Sequence, residues 1–89
     1  MKVNYKYLDY VRYWPGDSRV HVIIDAPHCA GTPDESDEKT LELSHDLAEV
    51  TGAGVIQSLI PRSLADLNRD IDFNNAASVQ AHAQQRKAL

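Results

Sequence analysis

Residues 20–60 read VHVIIDAPHCAGTPDESDEKTLELSHDLAEVTGAGVIQSLI. Val20-His21-Val22-Ile23-Ile24 is a short β-branched run of the kind buried inside a sheet, and Pro27 ends it because proline has no N–H for the ladder. A polar loop holding Gly31 and Pro33 follows. A helix is then expected from about residue 37 to 51, with carboxylates in its first turn facing the positive dipole end and Leu41, Ser44, Leu47 or Ala48, and Val50 or Thr51 on one face. Gly52 stands at the expected C-terminal cap, and residues 55–60 form the next strand, closed by Pro61. Strand, helix and strand joined by short loops make a βαβ unit, so the two strands are expected to run parallel with a right-handed crossover.

Outward from this unit, residues 5–14 are aromatic-rich and partly alternating, which predicts a further strand, and Pro15-Gly16-Asp17 is a turn signal. Residues 75–87, rich in Ala and Gln, predict a second helix with a thin apolar face of Ala76, Val79 and Ala83. No internal repeat or linker divides the chain. The fold expected is one small α/β domain over residues 1–89, an open sheet carrying a βαβ unit.

Composition narrows the function classes. The 89 residues carry a net charge of −4, concentrated as acid between Asp34 and Glu49. No basic stripe exists to track a phosphate backbone, so nucleic acid is excluded as an expected partner. No apolar run approaches the roughly 20 residues that span a bilayer, and the N-terminal residues lack a signal-peptide core. Cys29, the single cysteine, has no internal disulfide partner, which suits a reducing, cytoplasmic setting. A domain of this size buries only about 60% of its unfolded surface, so association would stabilise it. A homodimer or higher oligomer is expected, with the Tyr-rich N-terminal strand as an edge and the Ala-rich helix as a packing surface.

In an open α/β sheet, ligands bind beyond the carboxyl ends of the strands. His28 follows one such end and Arg62 the other. His28 and Glu38 are residue types that bind zinc, although on spacing alone a structural histidine is the default reading. Arg62, Asn68 and Arg69, with Asp66 among them, suit recognition of a carboxylate, or else form a helix start with surface arginines. Cys29 reads as a small buried residue or as an additional ligand or nucleophile.

Three segments carry a resemblance. Ala26-Pro27-His28-Cys29-Ala30-Gly31-Thr32 resembles the Pro-His-x-Gly-Thr entry of N-formylglutamate amidohydrolases, with one residue inserted before the glycine. Thr51-Gly52-Ala53-Gly54-Val55-Ile56 resembles that family's Leu-Gly-Ala-x-Val junction. Pro61 to Arg69 is similar to its Ser-Arg-x-x-x-Asp-Leu-Asn-Arg signature at Arg62, Asp66, Leu67, Asn68 and Arg69. Together they span residues 28–69, about 42 of the 89 residues. The segment Ile23 to His28, followed by Glu38-Lys39, also resembles the zinc-binding start of N-acetylmuramoyl-alanine amidases, and aspartoacylase-like enzymes share an Asp-Leu-Asn-Arg segment.

The resemblance implies that His28 and Glu38 bind Zn²⁺, that Arg62, Asn68 and Arg69 hold substrate carboxylates, and that Asp66 orients an arginine. It implies a truncated or compact metal-dependent amidohydrolase acting on an N-acyl amino acid. Such enzymes are two to three times longer and take a third ligand histidine and a general-base glutamate from strands beyond the Asp-Leu-Asn-Arg segment. Here His21, His45 and His82 fall in no matching motif, and only Glu35 is at hand as a substitute base. The alternative is a non-catalytic α/β binding or association protein that keeps the first half of the fold.

Overall fold

The computed structural model describes residues 2–28, 39–61 and 63–88. Four strands and two helices occur in the order β1 (Lys6–Tyr7), β2 (Val11–Trp14), β3 (Ile23–Ala26), α1 (Thr40–Thr51), β4 (Gly54–Ser58) and α2 (Ala76–Ala88). They form a mixed sheet in the order β1-β2-β4-β3. β3 and β4 are parallel, in register from Ile23 opposite Gly54 to Ala26 opposite Gln57, so the expected βαβ unit is present. β2 lies antiparallel on the other side of β4, from Val11 opposite Ser58 to Trp14 opposite Val55. The small α/β fold read from the sequence is therefore correct.

Side-chain alternation along β4 directs the two helices to opposite faces. Gln57 points to α1, where its Nε2 donates to Leu41 O (2.9 Å) and Ser44 Oγ (2.8 Å). Its neighbour Ile56 joins the cluster of Val11, Ile60, Ala65, Leu67 and Ala81, the last from α2. On α1 the residues that meet the sheet are small: Ser44 and Ala48 are buried, whereas Leu41, Leu47 and Val50 of the expected apolar face are exposed. Small contact residues let the helix backbone lie close to the strands, which leaves the larger side chains at its flanks.

The sequence reading needs correction in its details. The strand expected over residues 5–14 is a hairpin of β1 and β2, in which Leu8 N–H donates to Val11 O at 2.8 Å. Its aromatic residues favour extended backbone on both sides of the turn, which hides the reversal. The strand expected at 20–24 begins three residues later, because Val20 N–H is used in a turn to Asp17 O (2.9 Å). Asp17 also closes that turn through Arg19, whose hydrogen bond lowers the Asp17 carboxyl to about 2. The strand expected at 55–60 stops at Ser58, whose Oγ donates to Ile60 O and accepts from Ile60 N–H, curling the chain out of the ladder. The expected helix start at residue 37 lies outside the described residues; the described helix runs from Thr40, behind Lys39 in the left-handed conformation. Gly52 caps it as read, at φ 77°, donating to Ala48 O. Asn75 caps α2, its Oδ1 accepting from Ala77 N–H at 3.0 Å.

Gly16 is the tightest backbone position. It has φ +85°, and a Cβ there would meet Gly54 N at 2.5 Å and Gly52 O at 2.9 Å. The Pro15-Gly16-Asp17 turn lies directly on the junction between α1 and β4, and Asp17 N–H donates to Gly52 O (2.8 Å). Gly16→Ala combines left-handed strain with a backbone clash and is expected to destabilise the fold by about 2–4 kcal/mol. Urea denaturation of wild type and variant measures this; an unchanged midpoint would contradict the packing described.

Candidate functional site

β3 delivers its last residues toward the carboxyl end of the sheet, and two positions beyond it stands His28. β4 ends at the same side and leads into residues 61–69. Leu64 N–H and Ala65 N–H both return to Pro61 O (2.9 and 3.1 Å), making a compact turn. Ala65 and Leu67 are buried in the core. Asp66, between these two anchors, turns to the opposite side and reaches the end of β3. His28 Nε2 lies 2.6 Å from Asp66 Oδ1, linking residues 38 positions apart. Both side chains are mostly buried, at 12% and 18% exposure.

The Asp66 carboxylate has further donors. Asn68 N–H donates to Oδ1 at 2.9 Å and Arg69 Nε–H to Oδ2 at 3.3 Å. Burial alone would push this carboxyl up. Burial is the largest single influence, but the hydrogen bonds from His28 and Asn68 N–H and the charges of His28 and Arg69 together outweigh it, and the net direction is down. The loop is also held from α2: His82 Nε2 lies 2.8 Å from Arg69 O, with its Nδ1 2.8 Å from Ser78 O.

Of the residues singled out in the sequence, the structure brings His28, Asp66 and Arg69 into one chain of contacts, with Asn68 joined through its backbone. Glu38 and Arg62 lie outside the described residues. His28 lines a cavity of about 210 Å³ between β3 and α1, shared with Ile24, Ala26, Leu43 and Leu47. Arg69 opens elsewhere, on a groove with Phe73, His82 and Arg86. Arg69 and His28 are thus linked through Asp66 but face separate openings.

Pairing of a histidine with a carboxylate is the usual support of a metal ligand. The donor chemistry at His28 therefore fits a zinc ligand. A second cluster escaped the sequence reading, which set His45 aside. His45, Asp46 and Glu49 on α1 bring ligand atoms within 4.8 Å of one another and could hold a metal ion. His45 Nδ1 lies 2.9 Å from Tyr5 Oη, and its Nε2 lies 3.1 Å from Glu49. The one-turn spacing of His45 and Glu49 was the signal available.

No family model, curated protein or solved structure matches this chain. Among the described residues no helix is long and apolar enough to cross a membrane.

The lowered Asp66 carboxyl has a defined consequence for stability. Its contribution is complete above the ordinary carboxylate value of 3.8 and is lost as pH falls through the lower folded-state value. Asp66→Asn is expected to be less stable than wild type at neutral pH, with the difference shrinking toward the acid end. Acid titration followed by circular dichroism checks it; a difference independent of pH would contradict the ionised His28–Asp66 contact.

Proposed function

We propose that this protein is a relative of the zinc-dependent N-formylglutamate-type amidohydrolases, and that it binds Zn²⁺ at His28 and an N-acyl amino acid through its Asp-Leu-Asn-Arg loop. The observation that carries this reading is the 2.6 Å contact of His28 with Asp66, because it joins two of the three motifs of the resemblance at the carboxyl end of the sheet. In this reading His28 is one ligand, Glu38 is a second, and Arg62, Asn68 and Arg69 receive the ligand's carboxylates. Bound zinc supplies Lewis acidity toward an amide carbonyl and lowers the pKa of its water toward about 7.

The chain's own residues position the pieces. Asp66 fixes the imidazole ring and, through its other oxygen, restrains Arg69. Arginine suits a carboxylate because its planar fork donates two parallel hydrogen bonds. The apolar lining of Ile24, Leu43 and Leu47 beside His28 offers contact surface for an acyl group.

A second reading, a binding protein without hydrolysis, is favoured by one observation: His28 and Arg69 line separate openings, whereas hydrolysis requires metal and bound carboxylate to converge on one amide.

Metal analysis of the purified protein tests the site. One equivalent of zinc is expected, lost in His28→Ala and weakened about 10- to 100-fold in Asp66→Asn. His45→Gln is expected to leave it in place. Zinc retained by His28→Ala and lost in His45→Gln would move the metal to α1 and refute the assignment. Calorimetric titration with N-formylglutamate, followed by assay for released formate, separates binding from hydrolysis.

A further inference from the structure

We propose that the outer edge of β3 is a self-association surface, on which two copies pair antiparallel about a two-fold axis at Ile23 to form one continuous sheet. This inference does not use the metal, although its surface shares Leu43 and Leu47 with the cavity beside His28.

β3 is the terminal strand of the sheet, with β4 on one side only among the described residues. Val22 O accepts from Gly54 N–H at 2.9 Å, so Val22 turns its backbone groups toward β4. Strand alternation then gives Ile24 and Ala26 the same direction and leaves His21, Ile23 and Asp25 directing N–H and C=O outward. Such a row is a template for another strand. It is also accessible: His21 and Asp25 are exposed, and Ile23 is 49% exposed.

The sequence along this edge is self-complementary in one register. Centred on Ile23, antiparallel pairing sets Ile23 against its own copy and His21 of each chain against Asp25 of the other. Every outward residue then meets a partner with which it exchanges two backbone hydrogen bonds. Moving the centre to Ile24 sets Ile23 against Asp25 and His21 against Pro27, which has no N–H. The Ile23-centred register also answers an electrostatic need. Asp25 is exposed along its outer side, but neighbouring atoms desolvate its carboxyl and push it up, only partly offset by Gln85 Nε2 at 3.3 Å and by His28. An imidazole from the second copy supplies a hydrogen-bond donor to it, and the two-fold axis makes the same contact twice.

The flank of the strand is apolar. Leu43, Leu47 and Val50 follow one another at one-turn spacing on α1 and are 57%, 43% and 84% exposed. Leu43 and Leu47 share a cavity with Ile24 of β3, so this stripe borders the strand. Val22, 59% exposed, continues the patch. Pairing of the β3 edges brings α1 toward its counterpart across the axis and removes this surface from water, which is the main driving term for such an interface.

Sedimentation equilibrium across a wide concentration range, combined with amide hydrogen exchange read by NMR, tests the interface. A dimer is expected, with the Ile23 and Asp25 amides protected in it. His21→Asp places like charges opposite one another twice and is expected to weaken the dimer at least about tenfold. Adding Asp25→His to that variant exchanges the two charges and is expected to restore it. Ile23→Lys, at an exposed position, is expected to yield a folded monomer. A monomeric wild type at every concentration, a dimer whose Ile23 and Asp25 amides exchange freely, or an undiminished dimer in His21→Asp would each overturn the proposal.

Discussion

All five residues of β4 are buried, and they include a glutamine and a serine. A central strand covered on both faces and paired on both edges normally reads as apolar. Gln57 breaks that pattern and must be satisfied in place, because an unpaired buried amide costs about 1–3 kcal/mol. Its Oε1 accepts from Arg12 Nε on β2, while its Nε2 donates to Leu41 O and Ser44 Oγ on α1. One side chain therefore fixes the sheet's second strand and the crossover helix relative to the same point. The position of α1 sets how the chain enters from β3, and so where His28 stands. No buried side-chain polar atom among the described residues is left without a partner.

The opposite face follows a different logic. α2 packs on it through Ala81, Ser78 and His82, residues too small or too polar to drive association by area alone. Specific bonds hold it instead. Gln84 Oε1 accepts from Tyr10 N–H at 2.6 Å, and Asn75 Nδ2 donates to Leu64 O at 2.7 Å. His82, with Arg69 O on one nitrogen and Ser78 O on the other, belongs to this scaffold. The loop bearing Asp66 is thus clamped between the end of β3 and the body of α2, so its geometry is set by the scaffold before any ligand arrives. Preorganisation of this kind lowers the ordering cost of binding.

Much of the fold was legible in the sequence. The β-branched run before Pro27 gives a strand, although one shifted toward Ala26, Gly52 caps α1 as read, and the second helix lies where it was expected. The hairpin at residues 8–10 was not legible, because no glycine or asparagine marks the turn and the aromatic residues on both sides favour the same extended backbone. The buried face of α1 was legible only in part. The expected face held Ser44 and the alternative Ala48, which are buried, but also Leu41 and Val50, which close approach to the sheet leaves exposed. At the candidate site, Asp66 was read as a partner for an arginine, and it does meet Arg69. Its shorter contact with His28 depends on Ala65 and Leu67 being buried on either side, which is a tertiary property. The His45 cluster depends on α1 presenting three side chains together on an exposed surface.

The measurement that bears most directly on the proposed site is anomalous diffraction at the zinc edge, from crystals grown with one equivalent of Zn²⁺. The expected result is a single peak within bonding distance of the His28 ring, about 2.0–2.1 Å from one of its nitrogens. A peak on His45 and Glu49, or no ordered peak near His28, would contradict the metal reading and leave the His28–Asp66 pair as a structural fastening alone.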